Sequence, residues 1–115
     1  MAQKFSRELI KGSTKNLILA VIAEEELYGY QIVKSLRKKS NEAFEFGEGS
    51  VYPALHSLEK SGYLKSKWVP QEQGANRKYY SLTKKGAKEL KKAMAEWKEF
   101  STAVDTVFKG VDLYA

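Results

Sequence analysis

The strongest constraint in the chain is a line of residues near its C-terminal end, spaced alternately by three and four. Ala87, Leu90, Met94, Trp97, Ser101, Val104, Phe108 and Val111 form the line, and only Ser101 among them is polar. A second line through Ala93, Phe100 and Val107 widens the stripe. That spacing gathers side chains on one face of an α-helix. Thr83 provides a capping hydroxyl, so a helix is predicted from about Lys84 to Lys109. At 1.5 Å per residue, such a helix is roughly 40 Å long. The segment ahead of it is too small a domain to cover a face of that length. Part of the stripe must therefore bury against a second chain, with Leu90, Met94, Trp97, Phe100, Val104 and Phe108 as the dimerisation residues.

A second stretch, Gly49 to Gly62, reads as a short helix with both ends marked. Ser50 is the expected N-cap. Pro53 falls in the first turn of that reading, where its missing N–H removes no helical bond. Gly62 stands where a left-handed residue closes a helix. Val51, Leu55 and Leu58 share one flank, and the opposite face collects Tyr52, Pro53, His56, Ser57 and Lys60. That outer face has a cation and no acid, whereas an ordinary solvated face mixes the two. It is a surface made for a partner.

The totals narrow the partner. The 115 residues make one domain with an appendage, and 43% apolar content supports a real core. A formal charge of +6 favours a polyanion. Without cysteine there is neither a disulfide nor a thiolate metal site, and a lone histidine makes a histidine-based zinc site improbable. No paired acids, nucleophile with a base, or phosphate-cradling loop stands out, so no enzyme and no cofactor are expected. No apolar run is long enough for a membrane span and no signal peptide is evident, so a cytoplasmic protein is expected.

The remaining elements follow from periodicity. Residues 1–12 suit a short amphipathic helix or a basic arm carrying Lys4, Arg7 and Lys11. Ser13 or Thr14 caps a helix through Leu17 to Ile22, whose continuous apolar run implies burial on most sides. Leu27 to Gly29 reads as a turn. A helix from Gly29 or Tyr30 to Lys39 or Ser40 follows, with Ile32, Val33 and Leu36 inward. The linker 41–49 alternates Phe44 and Phe46 with acids and has room for one very short strand. Beyond Gly62 the period changes to two. Tyr63–Pro70 and Arg77–Leu82 read as strands around a polar tip at 71–76.

Three helices followed by a basic hairpin is the order of a winged helix-turn-helix, a mainly α (α+β) fold whose third helix enters the DNA major groove while the wing meets the backbone. The division expected is residues 1–82 for the winged helix-turn-helix and 83–115 for the dimerisation helix and tail. Tyr52, Pro53 and His56 are the candidate base or phosphate contacts, with Ser50, Ser57 and Lys60 on the same helix. Asn76, Arg77 and Lys78 supply the wing's contacts, and Lys15 and Lys4 are candidate phosphate clamps. Each has a plainer reading. Pro53 can merely start its helix, Tyr52 can pack on the wing, and Asn76 can simply hold a turn. Residue patterns alone reach a dimeric DNA-binding module. A winged-helix adaptor that binds an acidic protein, without specific DNA binding, is the alternative.

The segment SVYPALHSLE, Ser50 to Glu59, resembles the recognition helix of the PadR family of bacterial transcription regulators. The resemblance extends to Tyr28-Gly29-Tyr30-Gln31-Ile32, to Ser61-Gly62-Tyr63-Leu64, to Leu82-Thr83-Lys84-Lys85-Gly86 and to Glu96-Trp97. It spans essentially the whole chain, and the single C-terminal helix is similar to that of the small PadR subfamily. The resemblance implies a homodimeric repressor that binds a pseudo-palindromic operator and is released by a small aromatic effector. Trp97 has two readings. It packs the dimer interface, or paired Trp97 residues, with Ala93, Met94 and Ser101 leaving room, stack a flat ligand.

Overall fold

The computed structural model describes residues 4–114. Its elements are α1 (Arg7–Lys11), α2 (Thr14–Glu24), β1 (Leu27–Tyr28), α3 (Gly29–Lys39), α4 (Glu48–Lys60), β2 (Leu64–Val69), β3 (Arg77–Leu82) and α5 (Lys84–Lys109). Mixed helix with a small antiparallel sheet and a long final helix is the predicted class.

The unbroken apolar run of α2 buries Ile18, Leu19, Val21 and Ile22. This helix packs against α3, α4, α5 and β3, so it is the post around which the domain closes. Ile32 and Leu36 of α3 and Val51, Ala54, Leu55 and Leu58 of α4 complete the core. Burying one such aliphatic side chain contributes about 1.5–3 kcal/mol.

The segment 27–29 is not simply a turn. Leu27 and Tyr28 form β1, which pairs antiparallel with β3 in the register Leu27↔Tyr80 and Tyr28↔Tyr79. The sheet therefore has three strands in the order β1-β3-β2. Two residues are too few to show a period of two, and the strand exists because β3 offers an open edge to the segment entering α3. The Gln31 side chain accepts from the Tyr28 N–H at 3.2 Å at that entry.

The linker 41–49 holds no strand. Asn41 and Glu42 have positive φ (52° and 66°), which turns the chain sharply after α3. The Arg37 guanidinium meets the Glu42 carboxylate at 2.9 Å, anchoring the turn. Phe46 enters the core, and the rings of Phe5, Phe44 and Phe46 follow one another at 5.5 and 5.8 Å, holding the N-terminal segment beside this loop.

Helix α4 starts earlier than its sequence suggests. Gly47, extended at φ −88° and ψ 170°, is the N-cap, and Ser50 lies inside the first turn. The Gly47 carbonyl accepts from both Ser50 and Val51 at 3.1 Å. Pro53 consequently sits beyond the first turn, where its missing N–H leaves the Gly49 carbonyl without its usual helical donor. The far end agrees with expectation. Gly62 has φ 83°, its N–H bonds the Glu59 carbonyl at 3.0 Å, and the Tyr63 N–H bonds that of Leu58 at 3.0 Å. This pair of bonds is the Schellman arrangement.

Strand β2 turns into β3 through a tip at Gly74, whose φ is 85°, and the register runs from Leu64↔Leu82 to Val69↔Arg77. Thr83 then caps α5, its hydroxyl accepting from the Gly86 N–H at 2.9 Å. Only the beginning of α5 meets the domain. Gly86 is buried and Leu90 half-buried, whereas Trp97 is 60% exposed and Phe108 69%. The radius of gyration, 16.7 Å, exceeds the roughly 13 Å of a compact domain of this size.

Gly86 is packed so closely that a Cβ there would lie 2.1 Å from the Tyr63 carbonyl oxygen and 2.8 Å from Leu82 Cδ1. Gly86→Ala is expected to destabilise the chain by about 1–3 kcal/mol despite the better helix propensity of alanine. Thermal and urea denaturation of the two proteins checks this.

Candidate nucleic-acid interface

The core flank of α4 leaves its other sides to three surroundings. Pro53, His56 and Lys60 point away from the domain and are exposed. Ser50 and Ser57 border α1 and α2, and Ser57 accepts a hydrogen bond from Lys15 Nζ at 2.9 Å. Tyr52 and Glu59 turn toward the sheet. The structure thus gathers Ser50, Tyr52, Pro53, His56, Ser57, Lys60 and Lys15 on and beside one helix. No acidic side chain joins Pro53, His56 and Lys60 on the outward face.

Tyr52 is the half-exposed link between helix and wing. Its ring lies so close to Gly29 that a Cβ there would approach Tyr52 Cε1 to 2.1 Å. A cleft of about 210 Å³ joins it to Tyr28, Asn76, Arg77 and Tyr80. Partial burial, Glu48 and Tyr80 all raise the phenol's pKa, so at neutral pH the hydroxyl remains a hydrogen-bond donor. Tyr52 packs between Gly29 and the wing and keeps 45% of its surface free.

Neighbouring wing cations face opposite ways because strand residues alternate. Arg77 lies 4.4 Å over the Tyr28 ring, and Tyr28 meets Tyr79 edge to face at 5.3 Å. Lys78 instead turns to the α4 side, where Nζ lies 3.1 Å from the Glu59 carboxylate, within 5.8 Å of the Trp68 ring and 5.5 Å of that of Tyr80. Asn76 is exposed at the tip. Lys67 pairs with Glu26 at 3.2 Å on the other face. Lys4 lies over the Phe5 ring at 5.7 Å, away from the wing group.

A groove of about 960 Å³ runs between α1 and α4, with Phe5, Ile10 and Phe46 in its lining and Arg7, Lys11 and Lys15 among its polar groups. Lys11 lines this groove although its place in the sequence suggested no more than a basic arm. A single cation carries no periodic signal. Glu59 was missed too, since no acid was sought on a helix expected to read DNA. On α5, Met94, Trp97, Phe100 and Phe108 stand exposed on the uncovered side, and Ala93, Ser101 and Val104 are half-buried.

The chain matches the family model described as "Transcriptional regulator PadR-like family" over residues 18–92. It is similar to the solved structure of a transcriptional regulator from Clostridium thermocellum, at 33% identity and TM-score 0.81, covering 94% of this chain and 99% of that one. A PadR family transcriptional regulator from Eggerthella lenta is 30% identical with TM-score 0.80, covering 90% of this chain and 88% of the other. A PadR-like transcriptional regulator from Bacillus cereus is 32% identical with TM-score 0.76, over 90% and 99%.

The pair between α4 and the wing has a pH signature. The Ser66 hydroxyl, then Lys78, hold the Glu59 carboxyl below its ordinary value of 4.5, outweighing partial burial. A depressed carboxyl adds stability that is complete above the unfolded value and is lost as pH falls through the folded one. Glu59 raises Lys78 above 10.5, so the lysine's share is complete below that value and lost only in stronger alkali. Wild type should therefore exceed Glu59→Gln in melting temperature by a constant margin near neutrality. The margin should shrink as pH falls below 4.5, as thermal melts across pH can show.

Proposed function

The chain belongs to the PadR-like family of transcriptional regulators and is a DNA-binding regulator rather than an enzyme, and on that premise we propose that it is a homodimeric repressor. Residues 1–82 read DNA and residues 83–115 join the two chains. The observation that carries the reading is the exposed trio Pro53, His56 and Lys60 on α4, set beside a wing that carries Arg77 and Lys78. Tyr52, Pro53, His56 and Lys60 meet the major groove in this reading. Arg77 and Asn76 meet the flanking backbone or minor groove, while Lys15 and Ser57 hold a phosphate beside α4. Lys4 is a further phosphate contact. Lys78 reaches DNA only where Glu59 releases it.

The dimer reading rests on α5. Its exposed face continues past the end of the domain with Trp97, Phe100, Val107 and Phe108. Monomeric proteins rarely leave so long an apolar face in water. Among the described residues no helix is long and apolar enough to cross a membrane. Paired α5 helices set two α4 helices on one side of a duplex, matching half-sites of a pseudo-palindromic operator. A flat aromatic effector between paired Trp97 rings, beside Ala93, Met94 and Ser101, is the corresponding release mechanism. Its support is the family resemblance and the exposed indole. The acidic-protein adaptor has no specific observation in its favour.

Operator selection from random duplex DNA followed by titration tests the reading. Tyr52→Ala should cost about 1–3 kcal/mol and relax the selected sequence, whereas Arg77→Ala should weaken all duplexes nearly equally and reduce the salt slope by about one. Unchanged affinity in both would exclude this docking. Phe108→Asp with Trp97→Ser should shift sedimentation to the monomer and weaken operator binding together. A variant that stays dimeric would remove α5 as the interface.

A further inference from the structure

A carboxylate on a DNA-reading helix repels phosphates, so Glu59 calls for a physical account. It occupies the last turn of α4 and faces the wing. The Ser66 hydroxyl of β2 donates to it, and Lys78 of β3 pairs with it at 3.1 Å. One acid therefore ties the recognition helix to both strands of the hairpin. Among the described residues no other ion pair joins α4 to the sheet. The side chains of Glu59 and Lys78 are each about 30% exposed, which limits screening by water. Lys78 is held from its other sides by the rings of Trp68 and Tyr80.

We propose that Glu59 is a positioning residue for sequence discrimination. Through Ser66 and Lys78 it sets the wing's distance and tilt relative to α4, so that helix and wing meet the duplex in one register. The proposal rests on the DNA-binding reading above. Its logic is pre-organisation. A specific complex requires base-edge contacts from α4 and backbone contacts from the wing at the same time, so a loose wing must be ordered on binding. Non-specific binding tolerates many wing positions because phosphate contacts carry no sequence information. Glu59 thus lowers bare attraction to DNA and raises the preference for the right sequence.

The experiment compares wild type, Glu59→Gln and Ser66→Ala on two probes: a duplex selected from random DNA by the wild type, and a scrambled duplex of the same length and composition. Glu59→Gln should bind the scrambled duplex more tightly and with a salt slope steeper by about one, as Lys78 becomes free to meet a phosphate. Its ratio of selected to scrambled affinity should fall by about tenfold. Ser66→Ala leaves every charge in place and should lower the same ratio by a smaller factor without altering the slope. If Glu59→Gln does not fold, as judged by circular dichroism, Ser66→Ala carries the test. A Glu59→Gln protein that gains affinity for both duplexes by one common factor, or a Ser66→Ala protein with the wild-type ratio, overturns the proposal. A wild type that selects no sequence at all overturns the DNA-binding reading itself, and the positioning role with it.

Discussion

The hydroxyl of Thr83 holds the architecture together at its one weak joint. It donates to the Gly62 carbonyl at 2.6 Å and accepts from the Gly86 N–H at 2.9 Å. It therefore closes the end of α4 and the beginning of α5 with the same oxygen. Around it the Thr83 N–H bonds the Tyr63 carbonyl at 3.2 Å, and Lys85 Nζ bonds the Ser61 carbonyl at 2.8 Å. The carbonyls just beyond α4, those of Ser61, Gly62 and Tyr63, thus find their donors at the start of another helix. The absence of a Cβ at Gly86 permits that closeness. A long helix attached to a small domain would otherwise swing at its connection. These bonds make α5 an extension of the domain's frame, and they fix the direction in which α4 points relative to the chain's uncovered apolar face.

Two kinds of surface result, and they have different physics. Around α2 the domain closes by apolar burial among α3, α4 and the sheet, and the core comes to an end near Leu90. Beyond that point α5 carries apolar side chains with nothing in its own chain to cover them. On the α4 side the surface is polar and graded by the alternation of β3. Arg77 and Tyr28 lie on one face of the sheet, and Lys78, Trp68 and Tyr80 on the other. The hairpin is thus a two-sided element whose inward side grips α4 and whose outward side and tip stay available to an anion.

Much of this was legible because it obeys a period. The α5 stripe, its Thr83 cap, the continuous apolar run of α2 and the Gly62 terminator are local patterns, and each element formed where its pattern lies. Of the three misread places, two depend on distant partners and one on local backbone conformation. Leu27 and Tyr28 become a strand only because β3 lies alongside them. Gly47 caps α4, one turn earlier than Ser50 suggests, because Phe46 is drawn into the core and sets the chain's direction there. The segment 41–49 is shaped by left-handed turns at Asn41 and Glu42, conformations that glycine would have signalled and these residues did not. At the candidate site the outward face of α4 was readable from its missing acids. The division of labour between Arg77 and Lys78 was not, since adjacent cations look equivalent until an acid from another element selects one of them.

Both tryptophans lie outside the core, Trp68 at 65% exposure on the wing and Trp97 at 60% on α5. Their indole light therefore says little about whether Ile18, Leu19, Ile32 and Leu55 are packed. Trp68 senses the neighbouring Lys78 on the wing, and Trp97 senses whatever covers α5. A melt followed by emission and one followed by helical ellipticity would track different events in this chain. Disagreement between the two curves would record the order in which its surfaces are lost, and would not by itself point to a partly folded core.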